Sequence, residues 1–216
     1  MALIRSAYQD ELDGVSQSLV DLTGMVTASL VKASKAVQTA DLALAEEVIA
    51  SDIKIDDFQH ELDARIIDII ARQQPVASDL RALVTAMRMS ADLERMGDLA
   101  HHIAKVARLR HPERAIPESL ILPFTEMGHV AEKLSIMVAA VITTRDTEMA
   151  LQVEKDDDEM DDLHKKVIAT IIKDDSGLSL ESAIDLTLLG RYYERYADHA
   201  VSVARRVYFL VTGTFA

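Results

Sequence analysis

Apolar residues recur every three or four positions along most of this chain, and this spacing restricts the possible folds more than any other feature. It places apolar side chains on one stripe of an α-helix, where they can pack against neighbouring helices. Only 4% of the residues are aromatic, whereas a β-sandwich needs aromatic and β-branched runs broken by turns. The sequence therefore predicts an all-α protein. In the first segment the stripe consists of Leu12, Val15, Leu19, Leu22, Val26, Ala33 and Val37.

Prolines and one polar turn divide this pattern into six helices. Pro75 ends the second helix, because proline disfavours the α conformation in the residue before it. Pro112, Pro117 and Pro123 form a cluster that marks the clearest boundary in the chain, and a polar turn at 174–177 separates the last two helices. After the first segment, the predicted helices cover about residues 41–72, 76–110, 120–144, 148–173 and 180–211.

Two acidic pairs in the first half recur in the second half. One pair lies in a Glu-Arg-x-x-Asp motif that returns after 100 residues, and the other returns after 105 residues. Helix order and motif order agree, which favours two homologous three-helix units, residues 1–112 and 113–216. The pairs are Asp52 with Asp56, Glu94 with Asp98, Asp157 with Asp161, and Glu194 with Asp198.

The spacing of these pairs allows them to bind a cation. Residues four apart lie one helical turn apart, roughly 5.4 Å, so both carboxylates can point at one ion. On the third helix the apolar stripe from Leu80 continues into Glu94 and Asp98, where an unpaired charge would be costly. Three arrangements remain open: a site for a hard cation, pairing with arginine, or a partly solvated groove.

The basic residues next to the motifs can be interpreted without a bound ligand. Arg95 and Arg195 point about a quarter turn away from the acidic stripe, so we interpret them as surface residues or salt bridges between the halves, with phosphate binding as the less favoured alternative. His101 and His102 follow Asp98 by three and four residues. By spacing His102 could join a metal site, but a helix-end histidine without a ligand is the simpler interpretation.

Several classes of function are disfavoured by what the sequence lacks. The net charge of -13 disfavours nucleic acid as a partner. The Glu-x-x-His motif of di-iron bundles, Walker loops and dinucleotide fingerprints do not occur. The start of the chain has no signal-peptide core, there is no cysteine, and the longest apolar run is far shorter than a membrane span. We therefore expect a cytoplasmic protein that meets membranes only through its partners.

The chain resembles the PhoU family in three motifs that follow one another in the family's order. The second half repeats the close of the third motif as Glu194-Arg195-Tyr-Ala-Asp198-His199-Ala200. The resemblance spans nearly the whole chain. The three motifs are Arg72-Gln-Gln-Pro75, Asp79-Leu-Arg81 and Asp92-Leu-Glu94-Arg95-Met-Gly-Asp98.

This resemblance implies a fold and a role. The implied fold is two three-helix bundles related by pseudo-twofold symmetry, in an often dimeric protein without known catalytic chemistry. The implied role is negative control of phosphate uptake and of phosphate-starvation signalling. The expected partners are the ATPase of the phosphate ABC transporter, the starvation sensor histidine kinase and a second copy in a homodimer. A metal-dependent redox enzyme built on helices is the alternative.

The resemblance also implies metal ligands. Family members are associated with multinuclear clusters, iron or zinc in some members, held on acidic motifs with this four-residue spacing. The expected cofactors are divalent or trivalent ions, namely iron, zinc, manganese or magnesium. Carried over residue by residue, the ligands are Asp52, Asp56, Glu94, Asp98, Asp157, Asp161, Glu194 and Asp198.

Overall fold

The computed structural model describes the backbone of residues 2–173 and 177–214, with side chains from residue 8 onward. Within these ranges it contains six helices and no strand, so the all-α prediction is confirmed. Residues 174–176 of the predicted polar turn lie outside the described residues. The helices are α1 (Ala2–Thr39), α2 (Leu42–Gln73), α3 (Ala77–Arg110), α4 (Glu118–Thr144), α5 (Thr147–Ile171) and α6 (Leu180–Thr212).

Short, capped turns join helices within each half. Asp41 begins α2 by accepting a hydrogen bond from the backbone N–H of Leu44 at 3.0 Å. Asp146 begins α5 in the same way, accepting from the N–H groups of Glu148 and Met149. Both aspartates satisfy donors that the first turn of a helix leaves free. Because these connections are so short, successive helices fold back along one another.

The linker between the halves runs from the end of α3 to the start of α4. Pro112 lies within it, and Pro117 occupies the N-cap position of α4. Pro123, the third proline of the predicted boundary cluster, lies inside α4 instead. It is the sixth residue of α4, so the helix lacks the hydrogen bond that an N–H at this position would donate to the carbonyl of Ser119.

Both halves contribute to one continuous hydrophobic core. Within the halves, α1 packs against α2 and α3, and α4 packs against α5 and α6. Between the halves, α3 packs extensively against α6 and α1 against α4. Tyr193 of α6 is fully buried, and its hydroxyl donates a hydrogen bond to Ser34 of α1 at 2.9 Å. The helix pairs α1–α4 and α3–α6 therefore hold the two halves together, while a division at residue 112 stays a prediction.

An ionic junction also joins the halves. Asp92 of α3 accepts hydrogen bonds from His199 at 3.2 Å and from Arg206 at 2.7 Å, both on α6. Burial alone would raise the pKa of Asp92, but these two hydrogen bonds hold it below its ordinary value. The carboxylate is therefore charged at neutral pH and fixes α6 against α3.

Gly97 allows α2 and α3 to approach closely at the level of the acidic motifs. A Cβ atom at Gly97 would lie 3.1 Å from a methyl carbon of Ile55, which is buried. Gly97 stands inside the acidic pair at 94–98, and Ile55 inside the pair at 52–56. The contact that packs the two helices therefore also sets the distance between the two acidic pairs.

We expect Gly97→Leu to destabilise the protein by about 1 to 3 kcal/mol, because Ile55 and the facing helix must move to admit the side chain. Urea unfolding followed by circular dichroism measures this change. Gly24→Leu is the matched control, because a Cβ atom there meets nothing within 4 Å. The control should be neutral or gain up to about 1 kcal/mol from helix propensity. Equal destabilisation by both substitutions would contradict the close-approach argument.

Candidate functional site

Two clusters of carboxylates, each at the seam between two helices of one half, form the candidate site, and we call each of these seams a groove. The first groove lies between α2, which carries Asp52 and Asp56, and α3, which carries Glu94 and Asp98. Burial raises the pKa of Asp56, and the charges of Asp52 and Asp98 raise it further. Burial and the charge of Asp98 likewise raise the pKa of Glu94. The four carboxylates predicted from the first half therefore lie close enough to repel one another.

The second groove lies between α5 and α6 and shows the same arrangement. Burial raises the pKa of Asp157 to about 7, with further contributions from the charges of Asp198 and Asp161. Burial and the charge of Asp198 also raise the pKa of Glu194, although nearby Arg191 opposes the shift. The four residues predicted from the second half thus come together as well, and Asp157 is partly protonated at neutral pH.

Both grooves lie on the rim of the packed interior rather than within it. The side chain of Glu94 is 23% exposed and that of Asp98 is 31% exposed, and Asp161 and Asp198 are also exposed. The sequence interpretation had placed the third-helix pair on the packing face. In the structure Leu80, which begins that stripe, is itself 39% exposed, so the stripe starts outside the core.

Arginines offset part of the negative charge. Arg95 lies 2.6 Å from a carboxylate oxygen of Asp98 and 3.5 Å from one of Glu94. It therefore pairs within its own helix rather than across the halves. Arg191 forms an ion pair with Glu194, and Arg195 is exposed, with no ion pair within the described ranges. Arg205, which pairs with Glu154, also lies near Asp157 and Asp198. Four carboxylates beside one or two arginines leave each groove acidic.

His101 is a fifth polar group in the first groove. It follows Asp98 by three residues, so it continues the acidic face of α3 by about one turn. Its Nδ1 atom contacts the Oδ2 atom of Asp52 across the groove. Its Nε2 atom is buried and has no hydrogen-bond partner within the described part of the chain. The imidazole therefore contacts one carboxylate through Nδ1 and keeps its other ring nitrogen unsatisfied.

The donor sets fit a cation chemically, although the side chains do not converge on one point. Buried atoms without a hydrogen-bond partner in the described residues include Glu194 Oε2 in the second groove as well as His101 Nε2. A buried oxygen or nitrogen of this kind is costly unless a partner satisfies it. Within residues 2–173 and 177–214, however, no three acidic or histidine side chains form a ready-made ligand set.

The histidines were harder to interpret from the sequence than the acidic residues. His102, which spacing alone made the candidate ligand, stacks on Tyr192 of α6 with ring centroids 5.2 Å apart. It lies well inside α3, not at a helix end. Its neighbour His101 reaches the groove instead. The sequence signal that could have identified His101 is its position three residues after Asp98. Residues three apart share a helix face as well as residues four apart do.

The fold and the grooves together define a class of protein: an internally repeated, all-helical protein with one acidic groove per repeat and no described helix long and apolar enough to cross a membrane. Comparison with known proteins gives the family. The PhoU domain pattern matches the chain twice, over residues 19–107 and 124–207. The chain belongs to the PhoU family.

Curated relatives cover the chain almost completely. Proteins of Mycobacterium tuberculosis and Mycobacterium bovis, each named phosphate-specific transport system accessory protein PhoU homolog 2, are 43% identical over 212 residues. The match covers 98% of this chain and 100% of each relative. A Mycobacterium leprae protein named PhoU homolog 1 of the same system is 42% identical, with 98% of this chain and 96% of the relative covered.

Solved structures agree with the fold. The crystal structure of PhoU from Pseudomonas aeruginosa matches with a TM-score of 0.85 at 27% identity, covering 96% of this chain and 100% of that one. The phosphate transport system regulatory protein PhoU from Streptococcus pneumoniae matches with a TM-score of 0.88 at 25% identity, covering 97% and 99%. The similarity therefore extends over both halves.

The raised pKa of Asp157 predicts a pH-dependent stability. The folded metal-free protein binds this proton more tightly than the unfolded chain does, so stability falls as pH rises from about 4 to 7. Asp157→Asn mimics the protonated form. After allowance for solvent screening, we expect it to stabilise the protein by roughly 1 to 2 kcal/mol at pH 8 and by little at pH 4.

Thermal unfolding in chelator at both pH values measures this difference. Asp158→Asn is the control, because it removes the same charge from the adjacent, exposed position. A gain at pH 8 that is no larger for Asp157→Asn than for the control would show that burial in the groove is not the cause.

Proposed function

We propose that this protein is a non-enzymatic regulator of phosphate transport that acts by binding the ATPase of the phosphate ABC transporter, the phosphate-starvation sensor kinase, or both. The observation that carries the proposal is the full-length match to relatives named as accessory proteins of the phosphate-specific transport system. Each half contains one matched region, and both grooves fall inside these regions. The role is negative: the protein holds uptake and starvation signalling down when phosphate is plentiful, and it acts as a homodimer.

Exposed apolar residues supply a surface for such a partner. At the start of α3, Val76, Leu80 and Val84 are exposed at successive four-residue steps. The start of α6 repeats this pattern 104 residues later, with Leu180, Ile184 and Leu188 exposed. Large apolar side chains in this periodic arrangement are typical of a face that packs against another protein.

The acidic grooves continue these apolar faces. Leu80 and Asp98 are separated by 18 residues, which is about five helical turns, so they lie on the same side of α3. A partner surface that fits would therefore combine apolar side chains with lysine or arginine. The net charge of -13 would accelerate association with such a basic surface at low salt.

The grooves are also proposed to bind metal ions, with iron, zinc, manganese and magnesium as candidates. The eight carboxylates would hold the ions. A bound cation would offset the negative charge that the arginines in each groove do not neutralise. Repulsion among the carboxylates and the unsatisfied Glu194 Oε2 atom support this assignment. The side chains of the carboxylates in each groove would have to rotate to converge on an ion.

A deletion strain tests the regulatory role. Loss of the gene should leave phosphate uptake or starvation-gene expression high in phosphate-rich medium, and the wild-type gene on a plasmid should restore repression. Affinity purification from phosphate-replete cells should recover the ATPase or the kinase. Normal repression in a strain without any second copy of the gene would reject the regulatory proposal.

Substitution of two ligands tests the metal proposal. We expect Glu94→Asn with Asp98→Asn to lower the metal content measured by elemental analysis, without loss of fold, because the change also removes like-charge repulsion. Asp57→Asn with Glu61→Asn is the matched control: the pair has the same spacing but is exposed, on the neighbouring helix. Wild-type protein that binds no iron, zinc or manganese after soaking would end the metal assignment.

A further inference from the structure

The two grooves differ at one position that matters for metal chemistry. His101 follows Asp98 by three residues, and the residue that follows Asp198 by three is Val201. His101 contacts Asp52 across the first groove, whereas Val201 is buried and has no polar side-chain atom. The repeat therefore places four carboxylates in each groove, and within the described residues only the first groove has an imidazole in direct contact with one of them.

We propose that His101 is a nitrogen ligand of the first groove, and that the two halves therefore bind different classes of metal ion. This inference rests on the proposed metal binding. With a proton on Nδ1, His101 donates a hydrogen bond to Asp52 and leaves the lone pair of its buried Nε2 unused. A histidine whose other ring nitrogen is held by a carboxylate is the usual arrangement in metal sites.

The donor chemistry gives the direction of the preference. Imidazole suits zinc and iron, whereas sets made only of carboxylates suit magnesium and manganese. The first groove should therefore favour zinc or ferrous iron over manganese more strongly than the second groove does. Asp52 then either binds the ion itself or orients the imidazole.

Other histidines near the grooves are not placed to act as nitrogen ligands in this way. His164 follows Asp161 by three residues, but its ring packs against Gly190, and it makes no hydrogen bond or ion pair to a carboxylate within the described ranges. His60 is exposed on α2 beyond Asp56. Among the described histidines near the grooves, His101 is the one in direct contact with a groove carboxylate.

Reciprocal substitutions in the full-length, metal-stripped protein test this proposal. His101→Val copies the second groove into the first, and Val201→His does the reverse. Calorimetric titration with zinc chloride should resolve a tighter and a weaker site in the wild type. We expect His101→Val to weaken the tighter zinc site by roughly 10 to 100-fold and to change manganese binding by less than about threefold. Val201→His should tighten the weaker zinc site.

Further variants separate a ligand from a structural residue. His101→Asn can still donate to Asp52 but is a poor metal ligand, so it should lose zinc affinity as His101→Val does. His129→Val removes an exposed histidine on α4 and should leave the tighter site unchanged. X-ray absorption of the protein with one equivalent of cobalt should show imidazole nitrogen in the wild type and none in His101→Val. If circular dichroism shows that Val201→His does not fold, the His101 variants decide the test.

Several results would overturn the inference. These are unchanged zinc affinity in His101→Val, an equal loss of zinc and manganese affinity, or no imidazole nitrogen around cobalt. Wild-type protein that binds none of these ions would overturn both this inference and the metal assignment. The regulatory role is judged separately by the deletion strain, so failure of the metal chemistry and failure of the regulatory proposal are distinguishable.

Discussion

The packing of α3 against α6 is the interaction on which the rest of this structure depends. Each of these helices contributes to the core of its own half, contacts the other half and carries the Glu-Arg-x-x-Asp motif. Because two sides of each helix are already covered, the charged motif must lie on the side that faces its groove. The position of both grooves is thus a consequence of how the halves meet.

The grooves concentrate like charges that a stable protein would otherwise keep apart. The molecule reduces the repulsion differently in each half. In the first, His101 and Arg95 contact the carboxylates, while in the second Arg191 pairs with Glu194 and burial favours a proton on Asp157. Such a concentration of like charge favours the binding of a cation or a basic partner at the grooves, because either would reduce the repulsion.

Much of the fold could be predicted from the sequence, because each helix buries a stripe that repeats locally. Val15, Leu19 and Val26 were predicted inward and are buried. The acidic pairs could also be found, because the second half repeats them. Local periodicity is less reliable at the edge of a stripe: Leu80 and Ile184 were assigned to the packing face and are exposed.

Contacts between distant residues could not be predicted. Asp92 meets His199 and Arg206 across more than 100 positions, and no local pattern in the sequence connects them. For the same reason, the sequence could not show whether His101 or His102 lies in the first groove. The two side chains point about 100° apart around α3, and in the folded protein His101 contacts Asp52 of α2 whereas His102 stacks on Tyr192 of α6.

The junction at Asp92 has a consequence for how the halves recognise each other. One hundred residues before His199 and Arg206 stand Leu99 and Val106, and one hundred residues after Asp92 stands Tyr192. Two copies of the first half joined in the same way would bury a carboxylate against aliphatic side chains, and two copies of the second half would leave His199 and Arg206 facing Tyr192 without a carboxylate. Each half is therefore built to reject a copy of itself. The similar halves form a heterotypic pair, in which the carboxylate comes from one half and the cations come from the other.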